Sequence, residues 1–147
     1  FYTAFLNRKV GDFKMTTMFR PVEDLKQAKM ELDRKGTLNV KEKQELFLYE
    51  ILIEMHYRKI ELEQIDIYKS EAKLFTIQDG KIRMPLIAVD GLGESVAEKV
   101  VAERKESSFL SIEDLVKRTK LNRTVVDLMK EYECLKDLSA TNQQTLF

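Results

Sequence analysis

The sequence predicts a mainly α-helical protein with one small β-hairpin. Two segments, residues 22–35 and 40–60, carry apolar side chains at the three- and four-residue spacing of amphipathic helices. Gly36 directly follows the first of these segments and is expected to end its helix. Between two short β-like runs lies the pair Asp79-Gly80, which is typical of a tight hairpin turn.

Three shorter segments complete this fold prediction. Residues 1–8 are apolar and aromatic, and we expect them to be the last turns of a helix. The chain begins with Phe1 rather than Met, so we expect it to be part of a longer protein. Residues 65–70 alternate apolar and polar side chains, as an extended segment does. The two runs of the hairpin are residues 74–77 and 81–84.

Composition indicates a soluble helical protein rather than a membrane protein. Hydrophobic residues make up 44% and charged residues 34% of the chain. No apolar run approaches the roughly 20 residues of a membrane span. Lys and Arg number 25 and Asp and Glu number 25, whereas an independent DNA-binding protein is usually basic. Any nucleic-acid binding must therefore come from local geometry. The single cysteine, Cys134, excludes an internal disulfide and fits a reducing, cytoplasmic location.

Residues 87–101 contain the most informative motif, a hydrophobic-x-Gly-hydrophobic-Gly turn that leads into a helix. Gly91 and Gly93 carry no Cβ and can take positive φ, so the main chain can approach a phosphate closely. Leu92 is expected to point back and pin the turn, and Ala97 to let two helices pack closely. The pattern predicts a helix-hairpin-helix motif, which binds a nucleic-acid backbone without reading bases. An ordinary glycine-rich turn is the alternative.

The backbone amides of Gly91 and Gly93, together with those at the start of the following helix, are expected to form an anion pocket. Glu94 and Ser95 contribute amides, the Ser95 hydroxyl is a further donor, and Lys99 is the nearest cation along the chain. Glu94 is an acid beside this pocket. Either its side chain turns away, or a monovalent cation lies between the carboxylate and the phosphate.

A second, degenerate turn spans residues 119–124. Ser111 is expected to cap the preceding helix, which runs to about Lys117, and a helix over 124–135 follows. Leu121-Asn122-Arg123 occupies the place of Gly-Leu-Gly in the first turn. The residues expected to face the second DNA strand are Lys120, Asn122, Arg123 and Thr124. A plain helical turn is equally compatible with this segment. Weaker DNA-binding candidates are Lys81 and Arg83.

The last residues form a polar tail that ends in two large apolar side chains. Leu146 and Phe147 have no core to enter within this segment, so we expect them to anchor in a pocket of a partner protein. Gln143 is expected to hydrogen-bond at the edge of that pocket. An apolar chain end without a binding role is the alternative.

In their order and spacing, several motifs resemble the C-terminal end of the PolC-type DNA polymerase III α subunit. The terminal run from Gln143 to Phe147 resembles the sliding-clamp motif of that family, with Thr145 in place of the usual Ser or Asp. The other matching motifs are Lys41-Glu42-Lys43, Glu50-Ile51, Glu54-Met55, Ile65-Asp66-Ile67-Tyr68-Lys69-Ser70, Gly91-Leu92-Gly93, and Phe109-Leu110-Ser111 with Asp114-Leu115 and Arg118.

The resemblance implies three parts. Residues 1–64 would be the end of a helical fingers region, 65–138 a duplex-binding domain with tandem helix-hairpin-helix motifs, and 139–147 a flexible clamp-binding tail. The implied partners are double-stranded DNA bound without sequence preference, the β sliding clamp and the remaining polymerase domains. The palm aspartates that hold Mg²⁺ in this family would lie upstream of the chain.

The sequence shows no catalytic constellation and no metal-ligand spacing. The only histidine, His56, lies inside an apolar helical segment and is interpreted as structural, and Cys134 as a small core residue. Two other classes of function stay open. One is a helix-hairpin-helix module of a repair or recombination protein, and the other is a helical interaction domain without a DNA role.

Overall fold

The computed structural model describes residues 1–8 and 13–139. Within these ranges the chain forms seven α-helices, three short strands and one 3-10 turn. This confirms the prediction of a mainly α-helical protein with a small β-hairpin. The elements in chain order are α1 (Tyr2–Arg8), α2 (Met15–Met18), α3 (Val22–Lys35), α4 (Val40–Tyr57), β1 (Leu62–Glu63), β2 (Thr76–Gln78), β3 (Lys81–Arg83), the 3-10 turn (Leu86–Ala88), α5 (Glu94–Glu106), α6 (Ile112–Thr119) and α7 (Arg123–Glu131).

Helices α3 and α4 pack against each other as a helical hairpin. Gly36 follows α3 with φ of +81°, a conformation that glycine adopts without steric cost. A capping box then starts α4: Asn39 Oδ1 accepts from the Glu42 amide at 2.8 Å, and Glu42 Oε1 accepts from the Asn39 amide at 3.2 Å. Helix α4 ends at Tyr57 rather than near residue 60, because Lys59 turns the chain with φ of +59°.

The predicted β-hairpin is present, with strands slightly shorter than the predicted runs. Asp79 and Gly80 both take positive φ, 54° and 77°, which is the geometry of a type I′ turn. On the other side of β3, strand β1 pairs in parallel, with Leu62 opposite Ile82. The sheet order is therefore β1-β3-β2. The sequence did not predict the parallel pair, because its two strands are distant along the chain.

The prediction of an extended segment at residues 65–70 is wrong, because these residues form a tight turn. Asp66 Oδ1 accepts from the Tyr68 amide at 2.8 Å, and Ser70 Oγ accepts from the Asp66 amide at 2.9 Å. Such side-chain bonds to the backbone replace the ladder of a strand. Arg104 on α5 fixes the turn by donating to two of its carbonyl groups, at 2.6 and 3.1 Å.

The buried apolar side chains of the described residues form one hydrophobic cluster, whose members run from Tyr2 to Leu135. Two contacts connect helices α1 and α2 to later parts of the chain. Asn7 brackets the Phe75 backbone, accepting from its amide at 2.7 Å and donating to its carbonyl at 3.2 Å. Cys134 Sγ lies 3.7 Å from Met15 Sδ. The division between residues 1–64 and 65–138 stays a prediction. Across 1–8 and 13–139, no helix has both the length and the apolar character needed to cross a membrane.

Candidate nucleic-acid interface

The first hairpin runs from the 3-10 turn through Gly91-Leu92-Gly93 into α5. Its first arm is therefore a single 3-10 turn and not the full helix that the motif predicts. Pro85 begins this arm, and Val89 leaves the helical region at its end with ψ of 124°. The arm is fastened to the loop before β2, since the Leu86 amide donates to the Glu71 carbonyl at 2.8 Å.

The two glycines of the first hairpin have different conformations. Gly91 takes φ of +85°, as predicted, whereas Gly93 has φ of −79° and ψ of 164°. Gly93 therefore does not use the positive φ that is open to a glycine. A Cβ built on Gly93 would meet no atom within 4 Å, so its surface is open to a close partner. Leu92 and Ala97 are buried, in agreement with their predicted packing roles.

Gly93 is also the residue that precedes α5, and it offers no side chain to cap the helix. The amides of the first turn of α5 therefore have no side-chain acceptor from this position. Glu94 and Ser95 lie exposed beside them. This arrangement combines backbone donors, the positive end of a helix dipole and an unobstructed approach, which together suit an anion.

The Glu94 carboxylate beside this pocket is paired with a lysine from another part of the chain. Lys73 Nζ lies 2.9 Å from Glu94 Oε1 and 3.4 Å from Glu98 Oε1. The hydrogen bond to Glu94, followed by that to Glu98, raises the pKa of Lys73 above its ordinary value. The Glu94 side chain thus turns toward Lys73. Lys99 pairs with Glu103 one turn further along α5, at 3.3 Å.

The second hairpin repeats the geometry of the first, shifted by one residue from the predicted alignment. Lys120 takes φ of +62° as Gly91 does, Leu121 is buried as Leu92 is, and Asn122 precedes its helix with φ of −78° and ψ of 162°. The equivalent of Gly91-Leu92-Gly93 is therefore Lys120-Leu121-Asn122 and not Leu121-Asn122-Arg123. The left-handed position and the buried leucine fix this correspondence.

The helices beside this second turn also differ in extent from the prediction. Helix α6 runs beyond Lys117 to Thr119, and α7 begins at Arg123 and ends at Glu131 rather than spanning 124–135. Ser111 caps α6 as predicted, since its side chain accepts from the Asp114 amide at 3.0 Å.

The two hairpins lie side by side. A Cβ built on Gly91 would lie 3.5 Å from Val125 Cγ2, in the first turn of α7. Asn122 Oδ1 accepts from the Val125 amide at 2.9 Å, so the second helix is capped by a side chain where the first is not. Leu92 is buried, and the other predicted DNA-binding residues are exposed: Gly91, Gly93, Glu94, Ser95, Lys99, Lys120, Asn122, Arg123 and Thr124.

Arg118 fixes the loop that joins α5 to α6, a role that the sequence did not reveal. Its Nη2 donates to the carbonyls of Glu103 at 2.6 Å and Ser107 at 3.0 Å. Its Nη1 donates to Asp114 Oδ2 at 3.2 Å, and its guanidinium lies 4.5 Å from the centre of the Phe109 ring. Arg118 thus connects the end of α5 to α6, and its guanidinium binds groups of the protein rather than a ligand.

The two weaker DNA-binding candidates on the β-hairpin have partners within the protein. Lys81 Nζ lies 3.1 Å from Glu61 Oε2, and Arg83 is buried, donating to the Gln64 carbonyl at 2.6 Å. His56 is exposed on α4, with its ring centre 5.7 Å from that of Tyr57. In the described part of the chain, no group of three or more His, Cys, Asp or Glu side chains is arranged to hold a metal ion.

Two turns of this geometry, each leading into a helix, are typical of helix-hairpin-helix proteins. The family model described as the helix-hairpin-helix motif matches residues 59–145, and the chain belongs to this family. Over its whole length the chain is also similar to proteins named DNA polymerase III PolC-type. Identity is 34% to the relative from Caldanaerobacter subterraneus subsp. tengcongensis, 38% to that from Thermotoga maritima and 40% to that from Lacticaseibacillus paracasei.

These alignments confirm the resemblance to the PolC type, since each covers 100% of this chain. They cover only 11%, 11% and 10% of the three relatives, so the chain spans about a tenth of their length. The residues of the predicted clamp motif, Gln143, Leu146 and Phe147, lie outside the described residues.

Proposed function

We propose that this chain holds double-stranded DNA by its phosphate backbone, as the DNA-binding region of a bacterial replicative polymerase. The observation that carries the proposal is the matched geometry of two adjacent hairpins. Each has a left-handed residue, a buried leucine and an extended residue before a helix, and Gly91 and Val125 bring the two units into contact. Two such units side by side suit the two strands of a duplex.

The first hairpin is proposed to bind one phosphate through its main chain. Gly93, Glu94 and Ser95 lie at the N-terminus of α5, where backbone amides have no acceptor within the helix, and the Ser95 hydroxyl adds a donor. Because Gly93 has no Cβ and an open surface, a phosphate oxygen can come within hydrogen-bond distance of these amides. A monovalent cation at this turn stays an alternative way to offset the charge of Glu94.

The second hairpin is proposed to bind the other strand through side chains. Lys120, Arg123 and Thr124 are exposed around its turn, and the first turn of α7 contains no acidic residue. Arg123 is 95% exposed and pairs only loosely with Asp127, at 3.8 Å, so its guanidinium is available to a phosphate. This hairpin would supply most of the electrostatic attraction.

Phosphate contacts of this kind carry no sequence information, which suits an enzyme that must copy any template. With a net charge of zero, the chain has no general attraction for DNA. Only the few cations at the hairpins are expected to displace counterions. The logarithm of the binding constant should then fall with the logarithm of salt concentration at a slope of about −2 to −3, from roughly 0.9 per neutralised phosphate.

A binding assay with the full 147-residue chain and a blunt duplex of mixed sequence tests this proposal. We expect Gly93→Val to weaken binding about tenfold, because its side chain stands where the phosphate must approach. The backbone of Gly93 has φ of −79°, which valine adopts without strain, so the variant should still fold. Unchanged affinity in a folded Gly93→Val protein would refute the assignment of this hairpin.

The polar tail is proposed to attach the polymerase to the β sliding clamp. Leu146 and Phe147 would enter an apolar pocket of the clamp, with Gln143 hydrogen-bonding at its edge. Tethering raises the effective concentration of such a short motif, so a weak contact can prolong residence on DNA and support processive synthesis. The order of the motif supports this part of the proposal.

Clamp binding is tested by comparing the full chain with a chain that ends at residue 142. We expect binding to the purified clamp to disappear with the tail. Leu146→Ala with Phe147→Ala should have the same effect, while Gln144→Ala serves as the control and retains binding. Equal binding with and without residues 143–147 would refute the proposal.

The longer protein is proposed to be a DNA-directed DNA polymerase that works in the cytoplasm and uses Mg²⁺ held outside this chain. The alternative is a helix-hairpin-helix module of a repair or recombination protein. Similarity over the whole chain to PolC-type relatives favours the polymerase.

A further inference from the structure

We propose that Lys73 is a positioning residue for DNA binding by the first hairpin, because it neutralises Glu94 beside the phosphate pocket. This inference rests on the proposed function of the hairpins. Lys73 lies in the loop before β2, well apart from the motif in sequence, and no feature of the sequence singles it out. In the structure its ammonium group lies 2.9 Å from Glu94 Oε1.

The two hairpins have the same turn geometry but different charges, and this difference explains why the first hairpin needs Lys73. The second hairpin carries Lys120 and Arg123, and its helix has no acid in the first turn. The first hairpin has glycines at the positions of Lys120 and Asn122, and its helix begins with Glu94. A carboxylate at this place repels a phosphate, and the hairpin's own turn provides no cation to offset it.

Lys99, the cation nearest to the motif along the chain, does not meet this need. Its ammonium group pairs with Glu103 at 3.3 Å, further along α5. Lys73, in the loop before β2, lies beside the start of α5 and also contacts Glu98 at 3.4 Å. It therefore lies between the two acids of α5 that are closest to the pocket.

The pairing of Lys73 with Glu94 lets the first hairpin bind a phosphate closely through its main chain, with little net charge of its own. With Lys73 in place, the charge of the Glu94 carboxylate is compensated and the amides of α5 can donate hydrogen bonds to a phosphate. Without it, the negative charge of Glu94 acts on the phosphate at short range. The side chains of Lys73 and Glu94 are 44% and 63% exposed, so solvent screens this effect and it should be strongest at low salt.

The test measures duplex binding by the full 147-residue chain at low salt, about 50 mM. We expect Lys73→Met to weaken binding about three- to tenfold and Glu94→Gln to strengthen it about threefold. In the combined variant, K73M with E94Q, affinity should return to within about twofold of the unaltered chain, since no charge on Glu94 is left to neutralise. Lys105→Met is the matched control.

Lys105 is also an exposed lysine associated with α5, but it lies in the last turn, about 16 Å from the helix start at 1.5 Å per residue. At the 50 mM salt of the test the Debye length is about 14 Å, which this distance still exceeds, so the removal of Lys105 should change affinity less than twofold. Equal effects of Lys73→Met and Lys105→Met would refute the inference. So would a double variant as weak as Lys73→Met alone, which would mean that Lys73 contacts the phosphate itself.

A third variant separates this inference from the proposed function. Lys120→Met with Arg123→Met removes the cations of the second hairpin and should greatly reduce duplex binding. If it does so while Lys73→Met has no effect, the hairpins bind DNA and only the role of Lys73 is refuted. If the unaltered chain does not bind duplex at all, the proposed function is refuted together with the inference.

Discussion

Gly91 of the first hairpin lies against Val125 of α7, where a Cβ built on Gly91 would be 3.5 Å from Val125 Cγ2. This is an ordinary van der Waals distance, so the space between the hairpins would admit a methyl group. The backbone at Gly91 is the stricter constraint, because its φ of +85° is rarely adopted by residues with a side chain. The two hairpins therefore approach each other at Gly91 and Val125.

Gly91→Ala should destabilise the protein by about 1–2 kcal/mol, the usual cost of a side chain in the left-handed region. Urea unfolding followed by far-ultraviolet circular dichroism measures the change. Gly93→Ser is the matched control, since Gly93 has φ of −79° and serine is favoured at a helix N-cap. If Gly93→Ser lowered the free energy of unfolding as much as Gly91→Ala, the positive φ of Gly91 could not be the cause of its loss of stability.

Lys120→Gly should have opposite effects on folding and on DNA binding. Lys120 has φ of +62°, so glycine relieves backbone strain and should stabilise the fold by up to about 0.5 kcal/mol after its larger unfolded-state entropy is counted. The same change removes a cation from the second hairpin, so duplex affinity should fall and the salt slope should shrink by about 1. A parallel measurement of thermal melting and salt-dependent binding would show both.

Local signals made much of the fold predictable. Asp79-Gly80 predicted the hairpin, because two adjacent positive φ angles favour these residue types. Gly36 predicted the end of α3, and Ser111 the start of α6. In each case the information lies within a few neighbouring residues of the chain.

Features that depend on distant residues could not be predicted in the same way. The alternation at residues 65–70 is compatible with a strand. The side chains of Asp66 and Ser70 bond the backbone of this segment into a turn, and Arg104 from α5 holds it there. The pair of Lys73 and Glu94 likewise joins two separate segments. At Gly93 the sequence left both signs of φ open, and the place of this residue directly before α5 gives it extended backbone.

Substitutions of Arg118 and Arg123 should show that Arg118 stabilises the fold and that Arg123 binds DNA. Arg118→Met should lower the free energy of unfolding by about 2–3 kcal/mol, because several carbonyls and Asp114 lose a shared donor in a partly buried place. Arg123→Met should leave stability within about 0.5 kcal/mol, since this side chain is 95% exposed.

Duplex binding should show the reverse order. Arg123→Met should weaken it, whereas Arg118→Met should leave it unchanged at temperatures where that variant is folded. Loss of DNA binding in folded Arg118→Met, at a site whose donors are all used internally, would contradict the structural role.

Cys134 should make the protein less stable at alkaline pH. Burial, with a smaller contribution from the negative charge of Asp66, raises the pKa of the Cys134 thiol from 9.0 to about 12. The folded state then keeps its thiol proton at a pH where the unfolded chain has lost it. The stabilisation is fully present below about pH 9 and is lost as the pH rises toward 12.

Comparison with Cys134→Ala isolates this effect from the titration of lysines and tyrosines. At pH 7 the variant should be less stable by about 1 kcal/mol, because the sulfur atom loses its contact with Met15. Between about pH 9 and pH 12 the unaltered chain should lose stability more steeply, so the difference between the two proteins should narrow or reverse. Urea unfolding at a series of pH values measures the difference in stability between the two proteins. A difference that stays constant across the series would mean that the Cys134 thiol has the same pKa in the folded and unfolded states.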